Sequence, residues 1–298
     1  METAVAIQPY QALRTPRRRQ LQIRGLDYQL TEWGPSEGRP LVLLHGWMDC
    51  GPSWQFLVDA LAQERRILAP DWRGFGDSAW CDDGYWFPDY LADLDALLDA
   101  EAPGQAVDLV GHSMGGNVAG LYAGVRPERI RRLALLEGFG MRPATADDAP
   151  ERYRQWLDEQ QTVPTMHAPD SWDALAERLM RQHPHMPPEH AAFVARCWAR
   201  ENADGSLELR GDPLHKRKNP VLYRLEEAQA CWRNITAPCL WIWGTESRVL
   251  RMFEDPASWE ARTRCFRNWT GIAIEHAGHM LQHDQPKAVA QALEPFLD

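Results

Sequence analysis

The sequence lacks long hydrophobic runs and paired cysteines. No run approaches the roughly 20 apolar residues that a membrane-spanning helix needs. Residues 1–20 hold no apolar stretch after a basic start, so no signal peptide is indicated. The six cysteines are scattered over 298 residues without a Cys-x-x-Cys pair, which argues against a zinc site and a disulfide framework. These absences predict a soluble, cytoplasmic protein with reduced cysteines.

An excess of positive charge is also missing. There are 32 Lys and Arg residues against 42 Asp and Glu, giving a net charge of −10, so neither nucleic acid nor an anionic membrane is an expected partner. The sequence has no Gly-rich phosphate loop and no dinucleotide fingerprint, so no cofactor is expected. His183, His185 and His190 straddle prolines without the i, i+4 spacing of a helical metal site, and no metal is predicted.

The chain does contain short apolar runs that alternate with helical patterns. Two initial segments, 21–24 and 28–33, alternate apolar and polar residues as antiparallel strands do. Helices are predicted over 53–63, 88–100, 114–125 and 286–297. The run 41–44 is continuously apolar, which is typical of a parallel strand covered on both faces. Strands alternating with helices of this length predict a doubly wound, mostly parallel sheet. The segments predicted as its strands are 41–44, 66–71, 106–110, 130–136, 239–243 and 272–274.

This alternation stops between residues 141 and 235. The segment holds no convincing buried strand, and helical patterns near 152–160, 171–182 and 188–201 are separated by proline-rich pieces. An insertion of this kind between two strands predicts a helical cap domain, 141–235, above the carboxyl edge of the sheet, where open α/β sheets bind ligands. The core domain would then comprise 20–140 and 236–298.

The run Gly-His-Ser-Met-Gly at 111–115 lies between a predicted strand and a predicted helix. This is the context of the Gly-x-Ser-x-Gly nucleophile elbow, in which a tight turn exposes the serine and needs small residues on both sides. The helix that follows also points its positive N-terminal end toward the hydroxyl. Ser113 is therefore the predicted nucleophile.

Two further parts of a hydrolytic site can be placed from their order in the chain. His45-Gly46-Trp47 follows the first parallel strand, where the second half of an oxyanion hole is expected, with the backbone N–H groups of Trp47 and Met114 as donors. The base should come after the last strand. His279, in the loop past Gly278, is the predicted base.

These motifs together resemble the α/β-hydrolase superfamily. The resemblance rests on 45–47, on Asp-Trp-Arg-Gly-Phe-Gly-Asp-Ser at 71–78, on 111–116, and on His279 followed by Asp-Gln-Pro at 284–286. It implies an α/β-hydrolase fold, a mostly parallel eight-stranded sheet with an inserted helical cap. Within the superfamily the chain is similar to the serine-hydrolase-like group, which borders the haloalkane dehalogenases and epoxide hydrolases. Those two groups attack with Asp, whereas this chain has Ser113.

The sequence leaves open which residue is the acid, the third member of a catalytic triad with Ser113 and His279. In most of the superfamily the acid lies in a loop after the strand that follows the cap, and that position here is Ser247. Glu246 is adjacent, but a shift of one residue would aim its side chain elsewhere. Glu137, at the end of the strand after the nucleophile helix, resembles the arrangement of several haloalkane dehalogenases. Glu137 is the preferred acid, with Glu246 or a dyad without carboxylate as alternatives.

Ser113 as nucleophile predicts acyl transfer. The expected activity is that of a carboxylic-ester hydrolase acting on a small, apolar or amphipathic acyl substrate. A C–C bond hydrolase, a lyase or an acyltransferase could use the same triad, and a ligand-sensing protein could retain the pocket without turnover. The sequence is compatible with a monomer or a homodimer.

Overall fold

The computed structural model describes residues 7–253 and 255–298. Within this part of the chain, a sheet of eight strands runs in the order β1-β2-β4-β3-β5-β6-β9-β10. The pairings β1–β2 and β2–β4 are antiparallel and the others are parallel. The predicted fold class is confirmed. The strands of this sheet are β1 Arg17–Ile23, β2 Leu26–Trp33, β3 Leu41–Leu44, β4 Ile67–Pro70, β5 Val107–His112, β6 Ile130–Leu136, β9 Cys239–Gly244 and β10 Trp269–Ile274.

Helices cover both faces of this sheet. Leu94 of α2, Val118 of α3 and Trp232 of α7 belong to the apolar core on one face, and Leu57 of α1 and Val289 of α10 to the core on the other. No helix of the described residues is long and apolar enough to cross a membrane. The α-helices are α1 Gln55–Ala60, α2 Phe87–Glu101, α3 Met114–Val125, α4 Ala149–Gln160, α5 Trp172–Gln182, α6 Pro188–Trp198, α7 Leu225–Trp232, α8 Pro256–Thr263, α9 Leu281–Asp284 and α10 Pro286–Leu297.

The segment predicted as a cap contains three of the expected helices, α4, α5 and α6. A third apolar cluster joins α5 and α6 to Phe56 of α1 and to Met280, next to the predicted base. The segment therefore rests on the sheet domain close to the predicted catalytic residues. The division into core and cap domains stays a prediction.

The expectation that this segment holds no buried strand is wrong in one place. Strands β7 Ala199–Glu201 and β8 Leu207–Leu209 form an antiparallel pair, and Ala199 and Leu207 are buried. Helix α6 consequently ends at Trp198 rather than at 201. The hairpin turn includes Gly205, which adopts a φ of +84°, and an Asp-Gly pair in such a turn is a hairpin signal that the sequence prediction overlooked.

Helix α7 was also not predicted, and it packs on the nucleophile helix α3. The contact is close because two glycines of α3 face it. A Cβ atom on Gly124 would lie 2.0 Å from the carbonyl oxygen of Cys231, whereas one on Gly120 would lie 3.2 Å from Nε1 of Trp232. Helix α7 thus lies inside the predicted cap range but packs against the sheet domain.

Candidate active site

Ser113 lies at the sharp turn between β5 and α3. Its backbone has φ 51° and ψ −114°, a strained conformation that is characteristic of a nucleophile elbow. The neighbouring glycines are required, since a Cβ on Gly111 would lie 2.4 Å from the carbonyl oxygen of Gly115, and one on Gly115 would lie 2.3 Å from that of Leu44. The Ser113 N–H donates to the carbonyl of Leu136 on β6 at 2.8 Å, so the adjacent strand fixes the turn.

Ser113, His279 and Glu137 form one continuous chain of contacts. Nε2 of His279 lies 3.0 Å from Oγ of Ser113, and Nδ1 of His279 lies 3.0 Å from Oε2 of Glu137. The carboxylate of Glu137 is fully buried, while the imidazole is about one quarter exposed. The structure thus brings together three side chains that are far apart in the sequence, in the spatial order of nucleophile, base and acid.

Glu137 directly follows β6, and hydrogen bonds hold both its backbone and its carboxylate. Its backbone φ is +56°, and its N–H donates to the carbonyl of Ile242 on β9 at 3.0 Å. One carboxylate oxygen, Oε1, accepts the Gly244 N–H at 2.9 Å. The other, Oε2, accepts the hydroxyl of Ser247 at 2.5 Å. A buried carboxylate needs such donors, and here they come from the strand and loop where most of the superfamily carries the acid.

Glu246, the alternative acid, points away from this chain of contacts. Its Oε2 lies 2.9 Å from Nε2 of His185 and its Oε1 lies 3.7 Å from Nδ1 of His276. About half of its side chain is exposed. The structure therefore does not bring Glu246 together with His279.

The loop that carries His279 is held from two sides. The main-chain carbonyl of His279 accepts a hydrogen bond from Nε2 of His112 at 2.8 Å, and the N–H of Gly278 donates to Oδ2 of Asp284 at 2.8 Å. Burial lowers the pKa of His112 well below its ordinary value, so its ring is neutral and carries its proton on Nε2. Burial raises the pKa of Asp284 to about 6, while the Gly278 N–H opposes this shift. Sequence reasoning missed His112, although its place inside the elbow motif could have drawn attention to it.

The loop at 45–47 is pressed against the elbow. A Cβ on Gly46 would lie 2.9 Å from Nδ1 of His112 and 3.2 Å from Cβ of Ser113. His45 anchors this loop, since its Nε2 accepts the Trp72 N–H at 2.8 Å and its Nδ1 donates to the Gly46 carbonyl at 2.7 Å. Burial lowers the pKa of His45 to about 4, so the ring is neutral.

Trp47 directly follows Gly46, and Met114 directly follows Ser113. Both residues line one cavity beside the elbow. As the first residue of α3, Met114 has an N–H without an intrahelical acceptor. The indole of Trp47 is half exposed. Both predicted oxyanion donors therefore belong to residues that line this cavity.

The cavity has a volume of about 160 Å³. Its lining combines aromatic side chains with polar and charged ones. It is lined by Trp47, Asp83, Gly84, Tyr85, Trp86, Phe87, Tyr90, Met114, Trp156, Gln160, Leu214, His215, Arg217, Lys218, Asn219 and Pro220. In the described residues, no group of His, Cys, Asp and Glu side chains is arranged to hold a metal ion.

The family description "alpha/beta hydrolase fold" matches residues 39–286. The chain belongs to this family of hydrolases, as the sequence motifs indicated. It is 28% identical over 276 residues to a zebrafish (Danio rerio) serine hydrolase-like protein, covering 89% of this chain and 83% of that protein. It is also 31% identical over 291 residues to a 3-hydroxybutyrate-oligomer hydrolase of Cupriavidus necator, covering 89% and 91%.

A solved structure supports the fold. The thioesterase domain from the curacin biosynthetic pathway superposes with a TM-score of 0.82 at 24% identity, covering 94% of this chain and 99% of that domain. At this identity the likeness concerns the fold. The family match and the serine hydrolase-like relative confirm the resemblance to the serine-hydrolase-like group of α/β hydrolases.

Proposed function

We propose that this hydrolase cleaves carboxylic esters through an acyl-enzyme on Ser113. The observation that carries the proposal is the chain of 3.0 Å contacts from Ser113 through His279 to Glu137. His279 takes the hydroxyl proton as Ser113 attacks the ester carbonyl, and Glu137 holds the imidazole and stabilises its protonated form. His279 then returns the proton to the leaving alcohol.

The N–H groups of Trp47 and Met114 are the proposed donors to the oxyanion that forms on the carbonyl oxygen. Fixed donors of this kind stabilise charge that develops only in the transition state. Water, activated by His279, then attacks the acyl-enzyme and releases the acid and free Ser113. All groups needed for these steps are side chains and backbone amides of this chain.

The aromatic cavity next to Met114 supports a small substrate with an apolar part. Its volume of about 160 Å³ is below the roughly 300–1,000 Å³ of pockets for drug-sized ligands. We place the proposed enzyme in the cytoplasm, since the cysteines of the described residues are free thiols and such thiols persist in reducing compartments.

A fluorophosphonate probe tests the nucleophile. Wild-type protein should become labelled on one serine, and the Ser113→Ala variant should resist labelling while retaining its circular dichroism spectrum. A panel of p-nitrophenyl esters with graded acyl length then tests the activity. Folded wild-type protein that neither reacts with the probe nor cleaves any ester would reject the hydrolase mechanism in favour of a ligand-sensing role.

A further inference from the structure

The cavity beside the nucleophile elbow is lined by residues of two kinds. Trp47 and Met114 belong to the loop pressed against the elbow and to the elbow itself. Arg217 and Lys218 line the same cavity. Both belong to a run of basic residues, His215-Lys216-Arg217-Lys218, in a chain whose net charge is −10. Two cationic side chains therefore line the cavity that Trp47 and Met114 also line.

The positive charges of Arg217 and Lys218 are not neutralised by ion pairs within the described part of the chain. In the described ranges 7–253 and 255–298, no ion pair joins Arg217 or Lys218 to a carboxylate. The guanidinium of Arg217 donates one hydrogen bond, to the Thr162 carbonyl at 3.2 Å, and its Nε is buried without a partner. Glu159 accepts the backbone N–H of Lys218. Asp83 also lines the cavity, but it forms no ion pair with Arg217 or Lys218 in the described part of the chain.

A stack of aromatic rings forms part of the cavity wall. The ring of His215 is stacked between Phe75 and Tyr85, with ring centroids 3.8 Å and 3.5 Å apart. Burial lowers the pKa of His215 to about 3, so this ring is neutral at pH 7 and adds no charge. The hydroxyl of Tyr85 donates to Asp212 at 2.6 Å, which fixes the stack. The neutral aromatic side chains of this lining favour a hydrocarbon or unsaturated chain between the ester group and the charged group of a substrate.

We propose that the substrate is an ester of a short dicarboxylic acid, whose free carboxylate binds to Arg217 and Lys218 while Ser113 attacks the esterified carbonyl. This inference rests on the proposed function. The planar guanidinium fork matches the geometry of a carboxylate.

The test compares matched pairs of p-nitrophenyl esters. Monoesters of succinate, glutarate and adipate are paired with the butyrate, valerate and hexanoate esters of equal chain length. Wild-type protein should show a higher kcat/KM for the charged member of at least one pair. The Arg217→Gln variant should reduce that charged-to-neutral ratio about tenfold, the usual effect of losing one charge-assisted hydrogen bond. Arg217→Lys should restore part of the ratio, which loss of fold would not allow.

Lys216→Gln is the matched control. It removes the same charge from the same segment, but the Lys216 ammonium group donates to the Thr165 carbonyl at 2.8 Å and does not line the cavity. The ratio should therefore stay at the wild-type value. An equal loss in Lys216→Gln and Arg217→Gln would indicate a long-range field rather than a binding site and would overturn the proposal.

Protection against the serine probe separates this inference from the proposed function. Free glutarate should slow fluorophosphonate labelling of Ser113 in wild-type protein and should slow it less in Arg217→Gln. Turnover of neutral esters without preference for charged ones, and without protection by glutarate, would refute the anionic site and leave the esterase function intact. Stronger protection by butyl phosphate than by glutarate would overturn the assignment to a carboxylate. Absence of both labelling and turnover would reject both proposals.

Discussion

The hydroxyl of Ser247 donates a hydrogen bond to Oε2 of Glu137 at 2.5 Å. The same oxygen lies 3.0 Å from Nδ1 of His279. Ser247 itself accepts the N–H groups of Val249 and Leu250, each at 3.2 Å. The position that carries the acid in most of the superfamily has thus become a donor that supports an acid from the neighbouring strand.

The first prediction concerns the acid. Glu137→Gln should lower kcat toward esters on the order of 10³- to 10⁴-fold, because an amide cannot stabilise the protonated imidazole as a carboxylate does. Glu246→Gln is the control and should change kcat less than about twofold, since exposed ion pairs contribute little. Ester kinetics of the two variants check this, and a large loss confined to Glu246→Gln would move the acid to the loop.

The second prediction uses the proximity of Ser247 to Glu137. Placing a carboxylate at 247 should recreate the arrangement common in the superfamily. The Glu137→Gln/Ser247→Asp double variant should therefore recover at least about tenfold in kcat over Glu137→Gln alone, since a triad carboxylate contributes several orders of magnitude. Ester kinetics measure the recovery. No recovery in a folded double variant would show that residue 247 cannot reach His279.

Much of the fold was predictable because parallel strands and their helices leave strong local patterns. Strand β6 and helices α3 and α10 were predicted at their observed bounds, Ile130–Leu136, Met114–Val125 and Pro286–Leu297. Shorter elements could not be predicted from the sequence. Helix α7 has eight residues and is stabilised by its contact with α3, which no local pattern reveals.

The catalytic side chains of the candidate site were predictable, but the residues that hydrogen-bond to them were not. The motif and the order of elements selected Ser113 and His279, and the resemblance to several haloalkane dehalogenases favoured Glu137 over Glu246. The structure brings the side chains of Ser113, His279 and Glu137 together. Their catalytic roles stay predictions. The role of Ser247 was hidden because its hydrogen bond to Glu137 joins residues 110 positions apart. The same holds for His112, whose bond to the His279 carbonyl spans 167 positions.

The third prediction tests the packing of α7 on α3. Replacing glycine by alanine inside a helix usually stabilises it by about 1 kcal/mol. Gly124→Ala should instead lower the free energy of unfolding by at least about 2 kcal/mol, because its Cβ would lie 2.0 Å from the Cys231 carbonyl oxygen. Gly120→Ala is the matched control, since its Cβ would meet a side chain at 3.2 Å. Chemical denaturation measures the free energy of unfolding of both variants. Equal values for the two would contradict the close contact between α7 and α3.

The fourth prediction concerns acid stability and His283. Its ring is fully buried. Nε2 lies 3.9 Å from Oδ2 of Asp49. Burial lowers the pKa of His283 to about 3 from an ordinary value of 6.5. Below pH 6.5 the unfolded chain therefore takes up a proton that the folded chain excludes, and stability falls as the pH falls toward 3.

Each buried histidine of this kind should lower the free energy of unfolding by about 1.4 kcal/mol for every unit that the pH falls within this window, from 6.5 toward 3. His283→Gln removes one titrating group, so the free energy of unfolding of this variant should fall less steeply between pH 6 and 4 than that of the wild type, by about that amount per unit. Its stability at pH 7 can differ for reasons of packing, and therefore the slope is the quantity to compare. Urea unfolding at several pH values measures it, and identical slopes would show that His283 is protonated in the folded protein.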